Sequence, residues 1–360
     1  MKIEERIMNN AKKKIISLLT CAVTVFSVMS VVSCQKKPER YSDYTFDYFD
    51  TATTIIGYAA SKADFDKTAG DIKAQLSEYH RLYTIYHRFE GQENLCTVNE
   101  ITDGKHRTVK VDGRIIDMLE YAREMHDKTN GRVNVAMGSI LSIWHDYREE
   151  GSDEPWNAKL PPTDKLKAAA EHTDIASIVI DRESMTVTIT DPEARLDVGA
   201  IAKGYAVEMI ARSLEDKGIS GYVLNVGGNV RTIGAKPDGD GWTVGIENPD
   251  RESEDYLEYL TLAGESLVTS GSYQRYYTVD GVDYHHIIDP DTLFPSTGFL
   301  SVSVVCKSSA EGDALSTALF TLSLEQGKAL IAKFEGAEAM WVTHDGTKHF
   351  SEGFSQYIKK

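Results

Sequence analysis

Asp313 and Thr317 stand four residues apart in "EGDALSTAL". On a helix that spacing stacks a carboxylate and a hydroxyl on one face. Hard oxygen donors of this kind suit Mg²⁺, which keeps the rest of its shell for water and phosphate. The alternative is an acidic residue favoured by the dipole at a helix start. A second stretch, "RLDVGAIAKGYAVEM" (195–209), sets Lys203 among small residues where a strand runs into a helix. Free amides and the dipole favour an anion there, unless this is an ordinary connection with an exposed lysine. It is not a Walker A loop, because the lysine lacks both the glycine spacing and the following hydroxyl.

Two further stretches carry chemistry. "NVGGNV" lets backbone approach a ligand or simply turns a hairpin. "TSGSYQRYYTVDGVDYHHIIDP" offers hydroxyls and two adjacent histidines. Neighbouring strand residues point to opposite faces, so only one of His285 and His286 can face a given site. The other is expected to be dispensable.

The elements that must position these residues alternate. "YFDTATTIIGYAA" reads as the first strand, followed by helices over 64–86 and 112–129. The Pro-bearing acidic segment 146–165 reads as a surface excursion between lobes. "IASIVIDRESMTVTITD" reads as two strands around Asp181–Ser184. Ala202, Ala206, Met209, Ile210 and Leu214 make a helical stripe ended by Gly218. "GYVLNVGGNVRTIG" is strand, turn, strand; "GWTVGIENP" is another strand, and a helix covers 311–321. Helices interleaved with hairpins predict a mixed α/β (α+β) fold rather than a βαβ repeat.

At the N-terminus, Lys12–Lys14 precede an apolar run ending in "VVSC". That is the pattern of an export signal with a lipobox, which predicts a signal over 1–34, lipidation of Cys34, a polar tether over 35–45 and a domain over 46–360. The competing reading is an uncleaved membrane anchor. Either places the body outside the cytoplasm, at a membrane. The first 34 residues carry five Lys/Arg and two Asp/Glu, so the formal charge changes from −16 for the chain to −19 for the remainder. Such an acidic body excludes general nucleic-acid binding, and a phosphorylated ligand then needs an intervening cation. Cys96 and Cys306 are read as free thiols, and there is no C-x-x-C.

In this order, "YFDTATT", "NGRVNVAMGSILSIW", "LDVGAIAKGYAVE", "VLNVGGNVRTIG", "GWTVGIENP", "VTSGSYQRYY", "YHHIIDP" and "GDALSTALF" resemble the ApbE family, the FAD:protein FMN transferases, over about residues 46–340. The resemblance implies a two-lobed α/β body with FAD in the inter-lobe cleft. It implies Mg²⁺-dependent transfer of FMN from FAD to a threonine or serine hydroxyl of an exported acceptor protein, with release of AMP. Acceptors of this kind include subunits of redox-driven ion pumps and other extracytoplasmic flavoproteins. Some members instead hydrolyse FAD to FMN and AMP, and a non-enzymatic flavin-binding lipoprotein is the third reading.

Matched position by position, the resemblance puts Asp197 and Lys203 against FAD, together with Phe49, Tyr86, Asn134 and Ile287. It puts the Ala200 carbonyl, Asp313, Ser316 and Thr317 at metal positions. His286 becomes the general base, with Asp197 in reserve, and an ordinary imidazole would switch activity off near pH 6 to 7. Three departures stand out: "FDT" for the family's M-G-T, Asn134 for its aspartate, and Leu293 for glycine in "DPDTLFP".

Overall fold

The computed structural model describes residues 37–360 apart from 103, 107, 251, 252 and 254; the expected signal and Cys34 lie outside the described residues. Eight strands pair antiparallel in a sheet whose spatial order follows the chain: β1 (Glu39–Tyr48), β2 (Thr51–Ala59), β3 (Tyr222–Val226), β4 (Asn229–Ile233), β5 (Ser266–Gly271), β6 (Ser301–Cys306), β7 (Glu338–Val342) and β8 (Lys348–Phe350). Apart from the C-terminal turn at Phe354–Gln356, the remaining elements are inserted between neighbours. Helices Lys62–Tyr83, Gly113–Lys128, Gly138–Asp153 and Ala202–Asp216 fall between β2 and β3, and Ser309–Phe320 between β6 and β7.

Period-two alternation sends Leu224, Val304 and Trp341 toward the helices. Val223, Val305 and Met340 go to the other face, against Trp242, Ile246 and Leu260 of the Trp242–Leu262 hairpin. Both faces are covered, so "SVSVVC" in β6 is buried at every position, Ser301 and Ser303 included. A third apolar cluster joins the Gly138–Asp153 helix, through Ile140, Ile143 and Trp144, to Tyr277 and Val279 of the Tyr276–His285 hairpin. Cys96 and Cys306 are free, as expected.

Two boundaries differ from the sequence reading. Residues 39–45, expected in the tether, belong to β1. Tyr41, Asp43 and Thr45 turn inward at every second position; Tyr41 meets the Phe65 ring at 5.6 Å, and Asp43 pairs with Lys73 at 2.5 Å. The segment 146–165 is not one excursion. Its first residues complete the Gly138–Asp153 helix, and Thr163–Ala170 forms another.

Helices Ala202–Asp216 and Ser309–Phe320 pack antiparallel and cap one another. The Gly204 N–H donates to Asp313 Oδ2 at 2.8 Å, and the Ser309 N–H donates to Glu208 Oε2 at 2.9 Å. Both are amides of a first turn, which the helix itself leaves without an acceptor. The approach is close enough to require glycine. A Cβ on Gly204 would fall 2.4 Å from Asp313 Cβ and 2.4 Å from the Ser309 carbonyl oxygen.

Candidate active site

A cleft of about 1420 Å³ is lined by Phe49, Tyr86, Asn134, Asp197, Ala200, Lys203, His286, Ile287, Asp313 and Thr317. These expected site residues, scattered over nearly 270 positions, thus share one cavity; among the described ones Ser316 alone stays outside its lining.

The segment before the Ala202–Asp216 helix is held by backbone. The Asp197 N–H donates to the Val135 carbonyl at 2.8 Å, and Asp197 Oδ1 accepts from the Gly199 N–H at 2.8 Å. Burial pushes the Asp197 carboxyl above the usual carboxylate range, against the opposing pull of the Gly199 N–H. The helix start has no side-chain cap of its own. Asp313, 4% exposed, supplies one across the interface and leaves Oδ1 facing the Lys203 ammonium at 3.6 Å. Thr317 lies one turn on, half-buried and in the lining. Ser316 is rotated toward β5, where its hydroxyl meets Ser270 Oγ at 2.8 Å and donates to the Asp313 carbonyl at 3.1 Å. It is removed from the metal set.

A cation fits what remains. One carboxylate oxygen of Asp313 is free of backbone donors, and the Thr317 hydroxyl and the residue Ala200 share the cavity. Among the described residues no group of three or more His, Cys, Asp or Glu side chains is arranged around an ion. A donor set of one carboxylate with neutral oxygens leaves most of the shell to water and phosphate, the habit of Mg²⁺.

The two histidines divide as the strand pattern requires. His286 lines the cleft with Nδ1 3.2 Å from the Arg275 carbonyl. Nδ1–H donates in that pairing, which leaves Nε2 unprotonated. Desolvation, then the Arg275 charge, hold the imidazole down at about 3, far below the expected 6 to 7. His285 is buried on the other side and engaged through both ring nitrogens. Nε2 lies 2.6 Å from the Ser296 carbonyl, and Nδ1 accepts from the Ile287 N–H at 3.2 Å.

The three departures acquire physical reasons. Phe49 and Asp50 turn β1 into β2 with φ of 54° and 51°, so Asp50 occupies the left-handed conformation that the family's glycine would adopt without cost. Phe49 is fixed by its N–H to His80 Nδ1 at 3.1 Å. Leu293 likewise has φ 64°, and its carbonyl accepts from Trp144 Nε1 at 2.9 Å. Asn134 Nδ2 donates to the Thr173 carbonyl at 2.9 Å while Oδ1 accepts from the Ala136 N–H at 2.9 Å. A carboxylate could not make the first of these bonds.

Sequence reasoning missed Arg148 and Arg275, both in the lining. Burial lowers the Arg148 guanidinium, which reaches His145 Nδ1 at 2.9 Å. The signal was available, since Trp144, His145 and Arg148 share a helical face, but the surface-excursion reading hid it.

Comparison with known proteins adds the lineage. The ApbE family model matches residues 49–341, and an FAD:protein FMN transferase of Klebsiella pneumoniae is 30% identical over 72% of this chain and 81% of its own length. The chain belongs to the ApbE family. Its FAD:protein FMN transferase relative in Vibrio cholerae is 27% identical across 94% of this chain and 98% of that protein. Among solved structures, the ApbE protein of Thermotoga maritima superposes with a TM-score of 0.76 at 26% identity, covering 89% of this chain and all of that one. The flavin transferase ApbE of Vibrio cholerae gives 0.72 at 25% identity, over 89% and 99%. The ApbE fold thus accounts for the mixed α/β architecture expected from sequence.

Proposed function

We propose that this protein transfers FMN from FAD to a threonine or serine hydroxyl of an exported acceptor protein and releases AMP. The observation that carries the reading is the single cavity gathering Lys203, Asp313 and Thr317 with a neutral His286. The acceptor hydroxyl attacks the flavin-side phosphorus. A new P–O bond forms while the bridging P–O bond breaks, and its electron pair leaves on AMP. The hydroxyl proton passes to His286 Nε2, for which positioned acid–base help is worth roughly 10²–10⁴-fold. The two negative charges of the pyrophosphate raise the proton affinity of a nearby imidazole, offsetting the desolvation that lowers it. Lys203, in the first turn of its helix, and the adjoining helix dipole bind the pyrophosphate. Asp313, Thr317 and the Ala200 carbonyl would hold Mg²⁺, which would supply charge neutralisation at the phosphates. Tyr86, beside His145 with ring centroids 5.1 Å apart, offers the flavin ring an aromatic wall.

The same proposal places the enzyme outside the cytoplasm, held to a membrane by a lipid on Cys34; the "VVSC" sequence supports this. Incubation with FAD, Mg²⁺ and a candidate acceptor, followed by mass spectrometry, tests the reaction. FMN covalently on the acceptor is expected. Free FMN with a bare acceptor would instead make the protein an FAD pyrophosphatase.

A further inference from the structure

We propose that Glu208 is a positioning residue: by capping Ser309 it sets the helix register that presents Asp313 Oδ1 to the cleft. The inference rests on the cation reading given above and concerns a residue outside the cavity lining. Glu208 is 3% exposed, an uncommon place for a carboxylate, and such groups persist when paired. Its Oε1 accepts from Arg212 Nε at 2.8 Å. Oε2 accepts from Arg231 Nε at 3.2 Å and from the Ser309 N–H at 2.9 Å. Arg231, 4% exposed, is itself clamped by Glu215 at 2.9 Å and by the carbonyls of Thr232 and Gly264. β4 therefore anchors Glu208, and Glu208 anchors the first residue of the Ser309–Phe320 helix. Asp313 lies about one turn along that helix, where it meets Gly204. No slack exists between the two caps, because Gly204 sits against both Asp313 and Ser309. A shift at Ser309 therefore moves the Asp313 carboxylate.

The experiment separates reach from charge. Glu208→Asp keeps the charge for Arg231 but is one methylene too short for the Ser309 N–H. Glu208→Gln keeps the reach and an acceptor oxygen but loses the charge. Mn²⁺ binding to the intact protein, with and without FAD, is measured by electron paramagnetic resonance well below each variant's melting temperature. Supporting groups of this kind typically change metal affinity about 10–100-fold. The expected result is at least a tenfold loss in Glu208→Asp and less than about threefold in Glu208→Gln. Adding Asp313→Asn to Glu208→Asp should cost little more, since both act through one carboxylate. The reverse order, equal losses, or wild-type affinity in both variants overturns the proposal. Should Glu208→Asp fail to fold, Gly204→Ala displaces the same register from the other cap, and wild-type Mn²⁺ affinity there overturns it equally. Asp313→Asn alone distinguishes the two levels. If it binds Mn²⁺ normally the cation reading falls; if it does not, and Glu208 variants do, only the present inference falls.

Discussion

Asp313 carries two duties that substitution can pull apart. Asp313→Ala removes the acceptor for the Gly204 N–H, a buried amide with no other partner in its helix. Loss of an N-cap costs about 0.5–2 kcal/mol, and stranding a buried donor costs about 1–3 kcal/mol; these describe one event, so about 1–3 kcal/mol is expected. Asp313→Asn retains an oxygen for Gly204 and gives up only the charge-assisted part of the bond, about 1 kcal/mol. It also removes the anion opposite Lys203 and the only carboxylate proposed for Mg²⁺. Stability by urea unfolding should therefore rank wild type, Asn, Ala. Transfer, read by in-gel flavin fluorescence on the acceptor, should be lost in both variants. An active Asp313→Asn enzyme at low Mg²⁺ would refute the metal assignment, and an Asp313→Ala protein as stable as wild type would refute the cap.

His286→Gln should keep FAD affinity within a few-fold while transfer falls at least about a hundredfold, as fluorescence quenching and gel fluorescence would show on the same samples. In the protein without FAD the imidazole sits at about 3, so its neutral form persists through pH 5, and the acid limb of kcat/KM should lie below pH 5 rather than at 6 to 7; a pH profile of kcat/KM falling by half at pH 6.5 contradicts this. Asn134→Asp, although it installs the family's residue, should destabilise by about 1–3 kcal/mol, because it sets a carboxylate against the Thr173 carbonyl; calorimetry showing a rise in Tm would disprove the account. Cys34→Ser should abolish fatty-acid labelling and release the protein from membranes without changing transfer by the soluble body, and label retained on that variant rules out lipidation there.

The motif residues were legible because turn chemistry and the 3.6-residue period are local. Asp313 and Thr317 could be paired from spacing alone. Ser316 could not be excluded that way: it is only 60° from Asp313 around the helix, and what removes it is β5, contributed by residues 46 positions away. β1 was missed because an edge strand with one wet face alternates weakly, and "ERYSDYTFDY" reads as polar. Glu208 and Arg231 look like surface charges in sequence, and their burial is explained by partners from distant segments, each other included. The positive φ at Leu293 is not announced by its residue type, and only the family's glycine at that position hinted at it, whereas Asp50 is of a type that tolerates the left-handed region.

The crossed caps also limit which sequences can occupy this pair of helices. Glutamate at 313 would keep the charge, but its extra methylene would carry the carboxylate away from the Gly204 N–H that Asp313 Oδ2 now accepts at 2.8 Å. Asparagine would keep the fit and lose the charge. Position 313 thus has no neutral neighbour one substitution away, and position 204 admits nothing larger than hydrogen without moving position 313. Mutational drift in this enzyme must therefore be borne elsewhere, in residues such as Phe49 and Leu293 that have already departed from the family pattern. A library built to alter acceptor choice would lose few members by sparing 204, 208, 309 and 313, and most of its folded, active members would share them.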